Sequence, residues 1–232
     1  MTANVVFFVD VDNTMLDNDR IIADLRRHLA VQFGPDCADR YWAIFDKLRD
    51  ELGYADYLGA LQRYRAEIDH HSDGNHRLFL MSSFLVDYPF ADRLYPLALD
   101  VLARLRTLGP TVILTDGDVV FQPRKVQRSG LWDAVDGEML IYVHKESMLD
   151  DLQRLYPARR YVMVDDKLRI LAAMKAVWGK RLLTVFARQG HYAHDEAILA
   201  TQPAPDLTVE RIGDLLGFPV EQWLGATTKE KT

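Results

Sequence analysis

Val5-Val6-Phe7-Phe8-Val9-Asp10-Val11-Asp12-Asn13-Thr14 is the stretch that decides the fold. Consecutive β-branched and aromatic residues lead straight into two aspartates one residue apart. Such a run reads as a strand buried on both faces, the kind found at the centre of a parallel sheet. Open α/β sheets place their chemistry at the carboxyl ends of such strands. Two carboxylates there repel each other and lose hydration unless a cation or a shared proton compensates them.

Outward from this strand the pattern becomes helical. Arg20 to Phe33 carries Ile21, Leu25, Leu29 and Phe33 on one face, and Gly34-Pro35-Asp36 reads as a stop followed by a new start. Tyr41–Leu52, Tyr54–Ile68 and Arg77–Val86 are helical by spacing, with His70-His71-Ser72-Asp73-Gly74-Asn75 as a loop. From Tyr95 onward, strands and helices alternate. Pro96–Leu108 reads as a helix, Thr111–Thr115 as a strand closed by Asp116-Gly117-Asp118, and Val119–Ser129 as a helix. Met139–Val143 is apolar, Lys145–Tyr156 helical, Tyr161–Val164 a strand ending in Asp165-Asp166, and Lys167–Trp178 a helix. Arg181–Phe186 is a further strand and Asp206–Val209 a short edge strand, while the tail after Trp223 is expected to fray.

This alternation predicts an α/β fold, a Rossmann-like parallel sheet flanked by helices with an inserted all-α unit. The expected division is a core of residues 1–16 and 88–232 and a helical domain of residues 17–87.

The 232 residues are 49 % apolar, enough for a substantial core. With 28 Lys and Arg against 34 Asp and Glu, the net charge of −6 argues against a nucleic-acid or anionic-membrane partner. The one cysteine, Cys37, rules out an internal disulfide and fits a reducing compartment. No basic region followed by a long apolar stretch opens the chain, and no apolar run approaches the roughly 20 residues of a membrane span. A cytoplasmic protein is expected; the oligomeric state is left open.

The carboxyl ends of the expected strands carry Asp10 and Asp12, then Thr115 with Asp116, then Asp165 and Asp166, with Lys145 after the apolar segment 139–143. In a parallel sheet these ends converge on one edge. Carboxylates for a hard cation, a hydroxyl and an ammonium are the parts of phosphoryl transfer through an aspartyl phosphate.

In this ordered set the chain resembles the haloacid dehalogenase-like (HAD) hydrolase superfamily. Its motifs match Asp10-Val11-Asp12-Asn13-Thr14, then Thr115, then Lys145, then Asp165-Asp166, and residues 17–87 fall where the family's C1-type caps are inserted. The resemblance implies Asp10 as nucleophile and Asp12 as general acid and base. It implies Mg²⁺ held by Asp10, the Asp12 carbonyl and Asp166, with Asp165 as the alternative ligand. It also implies a phosphate-binding set of Thr115, Asp116, Gly117 and Lys145, helped by backbone N–H groups near Asn13 and Gly117.

Three positions depart from the family pattern. Asn13 stands where Gly is common, Glu146 where Pro follows the lysine, and Ile170 where a further acid is frequent. Lys125 competes for the lysine role, but its mid-helix place soon after Thr115 favours Lys145. The histidines 70, 71, 76, 191 and 194 and Cys37 read as bystanders, the aromatics of 41–64 mostly as helical core with one or two lining a substrate pocket, and Arg20 and Arg93 as residues near the junctions for which a structural role is favoured over contact with substrate.

The function implied is Mg²⁺-dependent hydrolysis of a small phosphorylated metabolite, a phosphomonoesterase reaction. A phosphomutase and a catalytically silent phosphate-binding module are the alternatives. A signalling receiver domain uses similar residues but is about half this length and orders them differently. The dehalogenase branch typically replaces the second aspartate of the first motif, and Asp12 is intact here.

Overall fold

A computed structural model describes residues 3–67 and 72–224. Its centre is one parallel six-stranded sheet made of β1 (Ala3–Val9), β2 (Thr111–Asp116), β3 (Met139–Tyr142), β4 (Ala158–Asp165), β5 (Leu182–Ala187) and β6 (Leu207–Val209). The spatial order is β3-β2-β1-β4-β5-β6. The chain builds outward from β1 on one side through β2 and β3, then returns to the other side for β4 to β6. Strand order therefore reverses at β1, and a crevice opens there at the carboxyl edge. Register is direct: Val9 sits opposite Ile113 on one side and Val164 on the other.

The apolar run of β1 is buried on both faces, as its composition requires. Val5, Phe7 and Val9 join one core layer, and Val6 and Phe8 the other. Helices of the core supply the covering faces: α5 (Ala98–Arg106), α6 (Phe121–Arg128), α7 (Leu131–Ala134), α8 (Leu149–Leu155), α9 (Leu168–Trp178), α10 (Glu196–Leu199) and α11 (Val220–Leu224). Val101, Leu102 and Leu105 of α5 and Trp223 of α11 pack beneath Phe7, while Leu171, Met174 and Trp178 of α9 cover Phe8. Phe7 meets Trp223 edge to face at 5.6 Å, an arrangement the ring quadrupoles favour.

Between β1 and α5 lie four further helices, α1 (Asn18–Phe33), α2 (Pro35–Leu52), α3 (Tyr57–Glu67) and α4 (Ser72–Asp87), numbered with the core helices in chain order. Asp17 starts α1 by accepting a hydrogen bond from the Arg20 N–H, satisfying one of the free donors of the first turn. Pro35 opens α2, where its fixed φ is already helical, and Gly53 closes it in the left-handed conformation. The four helices bury a separate cluster that includes Leu25, Leu29, Tyr41, Trp42, Phe45, Tyr57 and Tyr64. Cys37 lies inside it, accepting a hydrogen bond from the Tyr64 hydroxyl at 2.9 Å. Phe121 of α6 belongs to the same cluster, 5.0 Å from the Tyr57 ring, and so ties the helical segment to the core.

Local spacing misplaced two boundaries. α4 begins at Ser72, so part of the expected loop is helical; His70 and His71 lie outside the described residues. The helix expected over Lys145–Tyr156 is broken, with a single 3₁₀ turn over Lys145–Ser147 before α8. Lys145 is pulled inward by its ion pairs, and the chain can continue as a regular helix only beyond Met148. α2 starts at Pro35, where Gly34-Pro35-Asp36 reads as a stop followed by a new start. The tail whose fraying was expected, residues 225–232, lies outside the described residues. Among the described residues, no helix is long and apolar enough to cross a membrane.

Candidate active site

The parallel register brings Asp10, Thr115, Asp165 and Asp166 together at one sheet edge. All four are buried, as is Lys145. The Lys145 ammonium donates to Asp10 Oδ1 at 2.5 Å and to the Leu114 carbonyl at 3.1 Å, and it lies 2.7 Å from Asp165 Oδ2. Thr14 Oγ1 donates to the other Asp10 oxygen at 3.2 Å. Asp10 is therefore fixed through both oxygens. The Lys167 N–H donates to Asp165 Oδ1, while Asp165 Oδ2, buried and without a hydrogen-bond donor, is answered only by the Lys145 ammonium 2.7 Å away.

Asp166 differs. Both of its carboxylate oxygens are buried without a hydrogen-bond partner. One oxygen each from Asp10, Asp165 and Asp166 lies within 4.8 Å of the other two. Buried acceptors without donors are costly, and hard oxygen ligands at this spacing suit a divalent cation such as Mg²⁺. The donor set thus fits a metal, with Asp166 the carboxylate that has no other use.

The charges leave their mark on ionisation. Burial pushes Asp10 up to about 6, Lys145 pulling it down and Asp165 pushing it further up. Burial and the adjacent Asp165 hold Asp166 well above the usual carboxylate range. Lys145 is raised because Asp10, Asp165 and Asp116 outweigh the cost of burying its ammonium. Lys167 is raised for the same reason, its partners being Asp166, Asp10 and Asp165. Three carboxylates against two ammonium groups leave the cluster one positive charge short.

Asp12 is set apart from the cluster. Its carboxylate accepts from the Lys125 ammonium at 2.6 Å and from Gln122 Nε2 at 3.3 Å, one donor for each oxygen. Gln122 also donates to Thr115 Oγ1 at 2.8 Å, and Lys125 to Asn18 Oδ1 at 3.1 Å. Lys125, weighed in the sequence as the rival of Lys145, is buried and has its own aspartate. Its signal was present: Gln122 and Lys125 share the buried face of α6 with Phe121 and Val126. Polar groups on that face need partners.

The other expected phosphate ligands are less free. The Asp116 carboxylate accepts from the Lys145 N–H at 2.8 Å and so anchors the lysine loop. The N–H groups of Gly117 and Asn13 are spent on the carbonyls of Tyr142 and Leu16. Neither is available to an anion. Lys167, which the sequence reading passed over, borders the cleft instead.

The departures in sequence have local explanations. Asn13 has φ +59°, the left-handed region that Gly and Asn adopt most readily. Its amide bonds Asp19 in both directions, donating from Nδ2 and accepting from the Asp19 N–H. Glu146 pairs with Arg169. Ile170 is core, buried beside Leu171.

Above the edge lies a cavity of about 580 Å³. Asp12, Asp116 and Lys167 form its floor, and Phe45, Tyr54 and Tyr57 of the helical segment form its roof. His191 also borders it, its Nδ1 2.6 Å from Asp19. Arg93 is held by Asp24 and Tyr88, and neither it nor Arg20 lines this cavity.

The family profile of haloacid dehalogenase-like hydrolases matches residues 5–177, which span the sheet edge and every residue of this cluster. The chain belongs to that family. A haloacid dehalogenase-like hydrolase of Burkholderia xenovorans LB400 is 62 % identical over 96 % of this chain and 99 % of its own, with a TM-score of 0.88. The HAD hydrolase YfnB of Bacillus subtilis, in a magnesium-bound form, superposes with a TM-score of 0.60 at 17 % identity over 94 % and 98 % of the two chains. The L-2-haloacid dehalogenase of Xanthobacter autotrophicus gives 0.56 at 19 % identity over 92 % and 97 %. At those identities the last two share the fold alone. A comparison with curated proteins finds no match.

Proposed function

We propose that this HAD hydrolase is a Mg²⁺-dependent phosphomonoesterase for a small phosphorylated metabolite. The observation that carries this reading is the buried Asp166 carboxylate, unpartnered beside Asp10 and Asp165. Displacement of halide from carbon needs no such cation site and no proton for the leaving group. A phosphoester needs both.

Asp10 is the nucleophile, its oxygens oriented by Lys145 and Thr14. It forms the bond to phosphorus while the ester oxygen departs with a proton from Asp12, giving an aspartyl phosphate and an alcohol. Asp12 then takes a proton from water, which attacks phosphorus and frees Asp10 and inorganic phosphate. Lys125 and Gln122 hold Asp12 in place for both transfers. Asp10, Asp166 and the Asp12 carbonyl would hold Mg²⁺, which supplies charge neutralisation for the approaching phosphate. Thr115, Lys145 and Lys167 contribute donors and positive charge for the phosphoryl oxygens.

Residues 17–87 serve as a cap on a core of 1–16 and 88–232. Phe45, Tyr54 and Tyr57 exclude water and select the leaving group.

The test is a panel of phosphorylated metabolites and of 2-haloacids, each with and without Mg²⁺, in the wild type and in Asp10→Asn. Mg²⁺-dependent phosphate release that the substitution abolishes supports the reading. Metal-independent halide release, or undiminished phosphate release by Asp10→Asn, overturns it.

A further inference from the structure

At the opposite edge of the sheet, a second cavity of about 410 Å³ opens between the amino ends of β1 and β4, the turn before β5 and the end of α11. It is lined by Asn4, Arg159, Arg160, Lys180, Arg181 and Leu224. Four of these six carry positive charge and none is acidic, on a chain whose net charge is −6.

Among the described residues, none of the four cations enters an ion pair. Arg181 is held in place without being neutralised. It donates to Gln153 Oε1 and to the Ala158 carbonyl, both at 3.1 Å, and its guanidinium lies over the Tyr161 ring. The Arg160 Nε is buried and has no hydrogen-bond acceptor. An orphaned buried donor calls for an acceptor, as the orphaned Asp166 oxygens at the other edge call for a cation. Converging like charges call for a counter-charge. One ligand answers both demands.

We infer that this cavity is a binding site for a multiply charged phosphate anion of the pyrophosphate class. Guanidinium forks match phosphoryl oxygens in bidentate fashion, and the Lys180 ammonium adds a point charge. Three forks and one ammonium suit a ligand with several phosphoryl oxygens better than a carboxylate with two. Among the described residues the site has no carboxylate to hold a metal and no nucleophile, so we assign it binding and not turnover. Arg160 and Asp165 are five residues apart on β4, roughly 17 Å at the strand rise. The ligand therefore lies far from the catalytic edge, and the inference is independent of the reaction assigned there.

The test is calorimetric titration of the full chain with sodium pyrophosphate in EDTA, where the metal-free catalytic edge keeps its excess of carboxylates. The double variant Arg159→Ala/Lys180→Ala is the control. Both side chains are exposed and donate no hydrogen bond to another described residue, so the fold is retained. Saturable 1:1 binding that weakens at least tenfold in the variant is the expected result. Amide shifts should follow at Asn4, Arg159, Arg160, Lys180 and Arg181. Absence of saturable binding, equal affinity in the variant, or shifts confined to the Asp10 edge would overturn the inference.

Discussion

Removal of divalent metal should invert the usual pH dependence of this protein's stability between about pH 4 and pH 6. The cause is Asp10, whose ordinary value of 3.8 is pushed up to about 6 by burial. An acid that holds its proton more tightly when folded stabilises the fold while protonated. That contribution is complete below the unfolded value and is lost as pH rises through the folded one. At about 1.36 kcal/mol per pKa unit, the loss is about 3 kcal/mol. Asp166 is shifted in the same direction and adds to it. For 232 residues at about 2.1 cal/mol/K per residue, 3 kcal/mol corresponds to a Tm change of roughly 6 °C. The assay is calorimetric melting at pH 5 and pH 7.5, in EDTA and in excess Mg²⁺, for the wild type and Asp10→Asn. At pH 5 the unfolded carboxyl is already mostly ionised, so about 1.4 kcal/mol of that term is lost between the two pH values, and the metal-free wild type should lose roughly 3 °C more than the variant across that interval. Mg²⁺ should restore stability at pH 7.5, by about 2.7 kcal/mol at a hundredfold excess over its Kd, and do far less at pH 5. Equal pH dependence in the two proteins, or no Mg²⁺ effect at pH 7.5, would refute the charge accounting.

Three further outcomes are expected. Asp12→Ala should leave Mg²⁺ binding measurable by calorimetry intact and lower kcat by about 10²–10⁴, the usual worth of a positioned acid–base group. Lys125→Met should lower kcat by roughly 10- to 100-fold with KM little changed, because it frees Asp12 and leaves Asn18 unpaired; Lys125→Arg should recover part of the loss in steady-state kinetics. Gly190→Ala should destabilise the protein by about 2 kcal/mol or more in denaturant melts, since Gly190 has φ +70° and an added Cβ would stand 2.4 Å from the Asn13 side chain.

What the sequence made legible was whatever local pattern controls. β1 is readable because a central parallel strand must be apolar on both faces, and Val5–Val9 meets that demand without interruption. The carboxyl-edge residues follow from it, since parallel register sets Asp165 level with Asp10 and Thr115 one residue further along β2. What escaped depends on contacts that spacing does not encode. The Asp12–Lys125 pair joins residues 113 apart and forms only because α6 packs its buried face over the sheet edge. The broken helix after Lys145 has a similar origin, because ion pairs to Asp10 and Asp165 take precedence over helical continuity. Asn13 departs from the family pattern in residue type but keeps the backbone conformation that the turn demands.

The central claim is that Asp10 carries the phosphoryl group. Its most direct test is mass spectrometry of the protein quenched in acid within milliseconds of mixing with Mg²⁺ and a phosphoester that it turns over. A transient phosphoryl adduct on the peptide containing Asp10, absent in Asp10→Asn and longer-lived in Asp12→Ala, is the predicted result. Turnover without any adduct at Asp10, or an adduct on another residue, would contradict the account.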